Sequence, residues 1–357
     1  MELDFADVLL EVMHQGASDL HLTAGAPPML RKRGELVALD YPPLTPQVVR
    51  EVVYSILTND QRQRLETDWQ IDLAYSIPGK ARFRVNAFFQ RASMGAAFRL
   101  IPQEMPALDS LGLPPVLRDF TKKPRGLVLV TGPTGSGKST TLAAMLDLIN
   151  SERNEHIMTV EDPIEFLHRH KSCIVNQREL GADAKSFSLA LKAALRQDPD
   201  VILVGEMRDL ETISTALTAA ETGHLVFATL HTQDTAQTVD RIVDVFPPTQ
   251  QQQVRVQLSV ALQGIVTQQL LPTADGTGRV AATEILIPTP AVRNLVREGK
   301  THQIYSTLQT GGSHGMQTMD ASLADLVRRD KITRELAEAR SSSPEELRRL
   351  MGTVKAA

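Results

Sequence analysis

The sequence has little cysteine, which cross-links small secreted proteins, and few aromatic residues, which stack on nucleic-acid bases. Only one of its 357 residues is a cysteine, Cys173, which excludes an internal disulfide bond and a tetracysteine metal site. Aromatic residues make up 4%, which disfavours single-strand binding by base stacking. No run of about 18 apolar residues is present, and the N-terminus lacks the basic and apolar segments of a secretory signal. We therefore expect a soluble cytoplasmic protein.

Neither sign of charge dominates. The chain has 38 basic and 42 acidic residues, which gives a net charge of −4. This balance disfavours a protein held on nucleic acid mainly by phosphate electrostatics. At about 150 residues per domain, the length predicts two domains and a small addition.

The first 102 residues have the pattern of a mixed α+β domain. Apolar residues at helical spacing predict helices over residues 4–13 and 45–57. Short apolar or alternating segments predict strands over residues 18–22, 71–77, 82–89 and 94–101. Residues 103–124 are rich in proline, which predicts a linker with one short helix, Val116–Phe120.

From residue 125 the pattern changes to short apolar runs that alternate with helical segments. The predicted strands are 126–130, 157–160, 201–204 and 225–229, and the predicted helices are 139–150, 186–196, 209–221 and 234–245. This alternation predicts an α/β domain with a parallel sheet covered on both faces. After residue 250 we expect mainly helix apart from residues 279–287. We place the α/β core over 125–290 and a helical C-terminal region over 291–357.

A phosphate-binding loop is the most specific motif. The pattern G-x-x-x-x-G-K-S is present as Gly132-Pro133-Thr134-Gly135-Ser136-Gly137-Lys138-Ser139. It follows an apolar strand and opens a helix, which is the context that the motif requires. Its backbone N–H groups would surround phosphate oxygens, Lys138 would reach the β- and γ-phosphates, and Ser139 would offer its hydroxyl to Mg²⁺.

Acidic residues follow two of the predicted strands. Glu206 ends the run Val201–Gly205 at the position expected for the Mg²⁺ side of the site, although Gly205 stands where an aspartate is usual. Glu161, Asp162 and Glu165 follow the strand that ends at residue 160. Because the carboxyl ends of parallel strands line the ligand crevice, one of these acids could hold the attacking water.

Two histidines flank the strand 225–229. His224 and His231 are seven residues apart, so we expect them at opposite ends of the strand, which disfavours a shared metal site. Thr229 or His231 could sense the γ-phosphate by hydrogen bonding.

Taken together, these blocks give the chain a specific family resemblance. It resembles the secretion-type ATPases, and among them the PilT family of type IV pilus retraction (twitching motility) ATPases. The matching blocks are residues 16–22, 132–140, 158–166, 203–209, 223–231 and 291–298.

The resemblance implies a PAS-like N-terminal domain, a RecA-like ATPase domain and a ring-shaped homohexamer. It implies Mg²⁺ held with Ser139 and Glu206, Glu165 as general base, and His224 and His231 as the link between nucleotide state and domain movement. The residues around the ATP phosphates would be Gly132, Pro133, Thr134, Gly135, Ser136, Gly137, Lys138, Ser139 and Thr140.

The resemblance also implies basic residues of the N-terminal domain that complete the ATP site, and Arg84 and Arg99 match the family best. The helix Ala291–Glu298 would present Arg293, Arg297 and Glu298 on a polar face and would serve retraction rather than hydrolysis. The implied partners are an inner-membrane pilus platform protein and an accessory retraction ATPase, at the inner face of the inner membrane.

Four rival functions stay open. An accessory retraction ATPase that depends on a partner motor would have the same motifs. A pilus or secretion assembly ATPase usually carries a tetracysteine zinc site, which one cysteine cannot form. A RecA-like DNA translocase is disfavoured by the charge balance, and a scaffold that only binds ATP is disfavoured by the pair Glu165 and Glu206.

Overall fold

The structure, a computed structural model, describes residues 4–32, 34–101 and 105–352. The chain divides into two units, one made of Met1–Glu104 with Glu165–Leu167 and the other of Met105–Ile164 with His168–Ala357. Within the described ranges no helix is long and apolar enough to cross a membrane. Parts of the predicted linker and of the C-terminal region, residues 103–104 and 353–357, lie outside the described residues.

The first unit is a six-stranded antiparallel sheet with three helices. Its strands are β1 Asp19–Thr23, β2 Met29–Lys32, β3 Glu35–Ala38, β4 Gln70–Ile77, β5 Ala81–Gln90 and β6 Ser93–Ile101, and its helices are α1 Phe5–His14, α2 Pro46–Ser55 and α3 Asn59–Asp68. The strand order is β3-β2-β1-β6-β5-β4. The apolar face of the sheet, with Phe83 and Val85 of β5, shares one core with Val49 and Val53 of α2.

Most elements of this unit are predicted correctly from the sequence. The helices near residues 4–13 and 45–57 and the strands at 18–22, 71–77, 82–89 and 94–101 are all confirmed. The short strands β2 and β3 and the helix α3 were not predicted. Helix α3 is polar apart from Leu65, so it has no amphipathic signal, and a capping box between Thr58 and Gln61 fixes its start.

The second unit is a seven-stranded sheet enclosed by helices. Its strands are β7 Gly126–Thr131, β8 His156–Glu161, β9 Ile174–Glu179, β10 Val201–Val204, β11 Leu225–Leu230, β12 Leu262–Pro272 and β13 Arg279–Leu286. Its helices are α4 Val116–Thr121, α5 Lys138–Glu152, α6 Phe187–Ala194, α7 Leu210–Glu221, α8 Thr235–Asp244, α9 Pro248–Ala261, α10 Pro290–Glu298, α11 Ile304–Thr310, α12 Met319–Arg328, α13 Arg334–Arg340 and α14 Pro344–Met351.

The strand order of this sheet is β13-β12-β7-β11-β10-β8-β9. All neighbours pair in parallel except β12 and β13, which confirms the predicted parallel sheet. Along β7, Leu127 and Leu129 face one core and Val128 and Val130 face the other. The carboxyl ends of β7, β11, β10 and β8 therefore lie side by side at one edge.

The expectation of mainly helix after residue 250 was wrong for residues 262–272. These residues form β12, which pairs with β7 on one side and β13 on the other. Polar residues obscured the strand, yet two of them are buried and hydrogen-bonded. The Thr267 hydroxyl lies 2.8 Å from the Thr131 hydroxyl, and the Gln268 amide donates to the Thr141 hydroxyl over 2.9 Å. Buried polar groups with partners are tolerated inside a sheet.

Candidate nucleotide-binding site

The phosphate-binding loop connects β7 to α5, as the motif predicts. Lys138 is only 8% exposed, and its Nζ donates to the carbonyl oxygens of Gly132 at 2.8 Å and Pro133 at 3.0 Å. The ammonium group therefore lies inside the curve of the loop. Pro133, Thr134 and Gly135 at its crest are exposed, and Ser139 and Thr140 are half-buried in the first turn of α5.

Strand β12 supports this loop from behind. A Cβ atom on Gly132 would lie 2.3 Å from the backbone oxygen of Gln268, and the φ of Gly132 is 137°. The Oγ atom of Ser136 is buried and has no hydrogen-bond partner among the described residues. A buried hydroxyl without a partner in a loop of this type suits a phosphate oxygen as acceptor, so the residues present fit a nucleotide.

Glu206 lies at the carboxyl end of β10 between two basic side chains. Its Oε2 atom accepts from Arg208 Nη2 at 2.6 Å, and its Oε1 atom lies 3.3 Å from His231 Nε2. Burial tends to raise the pKa of Glu206, but the hydrogen bond from Arg208 and the charge of His231 outweigh it and lower the pKa. The carboxylate is therefore ionised at neutral pH, as a ligand of Mg²⁺ must be.

Gly205, which replaces the usual aspartate, lies where there is little space for a side chain. A Cβ atom there would lie 3.1 Å from the Val160 oxygen and 3.2 Å from Glu161 Cα. The Gly205 carbonyl accepts from the hydroxyl of Thr229, which is 6% exposed. Thr229, one of the two candidates for sensing the γ-phosphate, thus already has a backbone partner.

The acidic residues Glu161, Asp162 and Glu165 at and after the end of β8 lie in different surroundings. Glu161 Oε1 accepts from the Thr159 hydroxyl at 2.7 Å and from Gln177 Nε2 at 3.1 Å. Asp162 and Glu165 are exposed. Glu165 groups with the first unit.

The two histidines lie at opposite ends of β11, as their spacing predicts. His231 follows the carboxyl end and reaches Glu206. His224 precedes the strand, and its Nδ1 lies 3.0 Å from the carbonyl oxygen of Ala219. Of the two histidines, His231 therefore belongs to the edge that carries the phosphate-binding loop and His224 does not.

The two candidate arginines are on the polar face of the first unit. Arg84 of β5 and Arg99 of β6 are directly opposite each other in the antiparallel pair. Both are exposed, and Arg99 Nε donates to Asp19 Oδ1 at 2.8 Å.

The prediction of a polar face on α10 is confirmed for Arg297 and Glu298, which are exposed, but not for Arg293, which is half-buried. Arg293 Nη1 donates to the carbonyl oxygens of Ser259 and Val260, the latter at 2.9 Å, and so caps the end of α9. Burial lowers the pKa of Arg293. The exposed residues of α10 include Asn294, Arg297 and Glu298.

Two residues of this site had no assigned role at the level of sequence. Arg208 lies two positions after Glu206, and this short spacing is the feature of the sequence that could have indicated their ion pair. Gln268 gave no signal, because the strand that carries it was not predicted.

Comparison with known proteins decides the family. The family of type II/IV secretion system proteins matches residues 2–349. The chain belongs to this family. It is 54% identical to the type IV pilus retraction ATPase PilT of Pseudomonas aeruginosa, over 96% of this chain and 99% of that protein. It is 42% identical to the type IV pilus ATPase PilU of the same species, over 97% of this chain and 91% of that one.

A crystal structure of the pilus retraction motor PilT with bound ADP has the same fold. Its TM-score is 0.92 at 52% identity, and the match covers 98% of this chain and 100% of that chain. The chain is therefore a nucleotide-binding ATPase of the PilT family, with an N-terminal domain and a RecA-like ATPase domain.

Proposed function

We propose that this ATPase is the motor of type IV pilus retraction and twitching motility, and that it works as a homohexamer that hydrolyses Mg-ATP. The observation that carries the proposal is the carboxyl edge of the second sheet. The phosphate-binding loop and ionised Glu206 lie there two strands apart, with His231 on the strand between them. The 54% identity to a PilT supports the assignment to retraction.

The loop residues Gly132 to Thr140 bind the phosphates in this proposal. Lys138 exchanges its two carbonyl partners for phosphate oxygens, and the backbone N–H groups at the start of α5 add positive potential. Ser139 and Glu206 are the residues that hold Mg²⁺, which neutralises charge on the phosphates when it is bound. His231, which contacts Glu206, connects this group to the chain that enters α8.

Glu165 is the proposed general base, and Arg84 and Arg99 are the proposed cationic residues toward the transferring phosphate. Support for Glu165 comes from its exposure and from its place in the family's acidic block. Support for the arginines comes from their exposed guanidinium groups on the polar face of the first sheet. His224 lies at the opposite edge of the second sheet, so its place in the proposal is indirect.

The remaining parts of the proposal concern place, partners and domains. We place the protein in the cytoplasm at the inner face of the inner membrane, where it works on a pilus platform protein, beside an accessory retraction ATPase. The domain limits that we propose are 1–102, a linker 103–124, the core 125–290 and the C-terminal region 291–357.

The second candidate is an accessory retraction ATPase, because the chain is also 42% identical to a PilU. The higher identity to PilT favours the primary motor. Experiment also has to separate this motor from an assembly ATPase and from a DNA translocase.

The test is ATP turnover by the purified chain, with and without Mg²⁺, beside particle mass in the same samples. Lys138→Ala should lose nucleotide binding or turnover. Glu206→Gln should lose Mg²⁺-dependent turnover, and Glu165→Gln should keep binding while turnover falls about 10²–10⁴-fold. The matched control is Glu335→Gln, the same change at an exposed position of α13.

Three outcomes would contradict parts of the proposal. A monomer without turnover would move the assignment to an accessory or scaffold role. Equal turnover by wild type and Glu165→Gln would remove Glu165 as the base. Stimulation of turnover by DNA that weakens steeply with salt would favour the translocase. Restored twitching, when this chain alone is supplied to cells that lack retraction ATPases, would separate the primary motor from the accessory one.

A further inference from the structure

A row of four charged residues crosses the polar face of the first sheet. The strand register places Arg31 of β2 opposite Asp19 of β1, Asp19 opposite Arg99 of β6, and Arg99 opposite Arg84 of β5. Side chains directly opposite each other in antiparallel strands have Cβ atoms about 5 Å apart. Three guanidinium groups and one carboxylate therefore share one line across four strands.

Asp19 is the buried member of this row. It is only 6% exposed although it lies on the polar face. Its Oδ1 accepts from Arg99 Nε at 2.8 Å, while the side chain of Arg99 remains 69% exposed. Arg31, the neighbour on the other side, donates its Nη1 to the carbonyl oxygen of Gly34 at 2.8 Å. The ion pair of Asp19 is thus with Arg99.

This contact holds Arg99 by the inner end of its guanidinium group. A bond through Nε restrains the plane of the group and does not use its two Nη groups. The negative charge of Asp19 also offsets the repulsion between Arg99 and Arg84, which are like charges opposite each other on adjacent strands. Arg84 has no acidic partner of its own among the described residues. A donor that is oriented before the reaction costs no reorganisation during it.

We infer that Asp19 is a positioning residue that orients Arg99 for the transferring phosphate and keeps it apart from Arg84. This inference rests on the proposed function, because it needs Arg99 to act in turnover. Asp19 is buried and acts through Arg99. Its lowered pKa agrees with a permanent charge, since the hydrogen bonds from Ser18 and Arg99 outweigh the effect of burial, which would raise it.

The test is a double-mutant cycle on ATP turnover with Asp19→Asn, Arg99→Ala and the double variant. Asp19→Asn should lower kcat about ten- to a hundredfold, the range expected when a hydrogen bond to a charged group is lost, with KM for ATP changed less than about threefold. In the Arg99→Ala background the same change should alter kcat less than about twofold. The matched control is Asp72→Asn, the same change on the same face opposite Asn86, and it should leave kcat unchanged.

A second measurement does not depend on turnover, so it tests the inference even if Asp19→Asn is less stable than wild type. Labelling of Arg99 by phenylglyoxal in nucleotide-free protein, read by peptide mass, should rise in Asp19→Asn and, to a smaller extent, in the longer-armed Asp19→Glu. Neither Asp72→Asn nor wild type should show the rise.

The outcomes separate the inference from the proposed function. Normal turnover by Arg99→Ala would overturn the role of Arg99 in the proposed function and, with it, the inference. Impaired Arg99→Ala beside unimpaired Asp19→Asn would overturn the inference alone. Losses that multiply in the double variant, with unchanged labelling of Arg99, would show that Asp19 supports the fold and would also overturn it.

Discussion

The tightest steric constraint at the phosphate-binding loop is at Gly132, and we predict that Gly132→Ala damages the protein more than Gly135→Ala. A Cβ on Gly132 would meet the Gln268 backbone oxygen at 2.3 Å and the Ser136 Oγ at 2.7 Å, whereas ordinary contacts begin at 3.4 Å. The loop and β12 would have to separate by about 1 Å. Gly135 has nothing within 4 Å of the same position.

The magnitude follows from two costs. Overpacking of this kind costs about 1–3 kcal/mol. The φ of 137° at Gly132 lies in a region that is almost restricted to glycine, and a side chain there costs about 1–3 kcal/mol more. Gly135, with φ of 80°, bears only a backbone cost of about 1–2 kcal/mol. Since 1 kcal/mol shifts the melting temperature of a domain of this size by about 2–4 °C, Gly132→Ala should melt about 5 °C or more below Gly135→Ala.

Thermal unfolding without nucleotide, followed by circular dichroism, measures this difference directly. Addition of ADP should raise the melting temperature of wild type, because a ligand that binds only the folded state stabilises it. Gly132→Ala should show no such rise. Equal melting temperatures of the two alanine variants would refute the steric argument. Full recovery of Gly132→Ala by a second change, Ser136→Ala, would refute it as well, because the shorter contact is with backbone.

Three further predictions concern the second unit. Burial lowers the pKa of His168 from 6.5 to about 4, so the unfolded chain takes up a proton at a higher pH than the folded chain does. Up to about 3 kcal/mol of the free energy of unfolding should therefore be lost as pH falls from about 6.5 to 4. Unfolding curves at stepped pH should show a weaker pH dependence for His168→Asn. A Cβ on Gly264 would lie 2.3 Å from Phe120 Cζ, so Gly264→Ala should lower the free energy of unfolding in denaturant by about 1–3 kcal/mol. Phe120→Leu in the same chain should suppress most of that loss. An equal loss with Phe120 and with Leu at this position would contradict the steric explanation. Cys173 is buried, and burial raises the pKa of its thiol, so a thiol reagent should label it only when the protein unfolds. Labelling of the native protein within minutes would contradict the buried position of Cys173.

The phosphate-binding loop could be predicted from sequence because everything that defines it is local. Strand, glycines, lysine and helix follow one another between Gly126 and Glu152, and each element is where the motif requires it. The positions of Glu206 and His231 at the same edge follow from the same logic, because parallel strands place their carboxyl ends together.

What could not be predicted depends on contacts between distant parts of the chain. Thr267 and Gln268 read as polar positions that argue against a buried strand, and only their partners on β7 and α5 make the strand acceptable. Arg293 reads as solvent-facing on an amphipathic helix, yet it caps the carbonyl groups of α9. The ion pair of Asp19 with Arg99 spans 80 positions, and no local pattern specifies it.

The support that β12 gives to the phosphate-binding loop has a consequence for the order in which the protein is made. The bonds from Thr131 to Thr267 and from Thr141 to Gln268 join residues 136 and 127 positions apart. The loop therefore leaves the ribosome long before β12. The segment between the loop and β12, with four strands and five helices, must fold before the two can pair or must fold together with them. Contacts of such long separation form slowly, because a large loop has to close before they contribute. A nascent chain that has passed Ser139 but not yet Gln268 carries the complete motif, but its phosphate-binding loop still lacks this support.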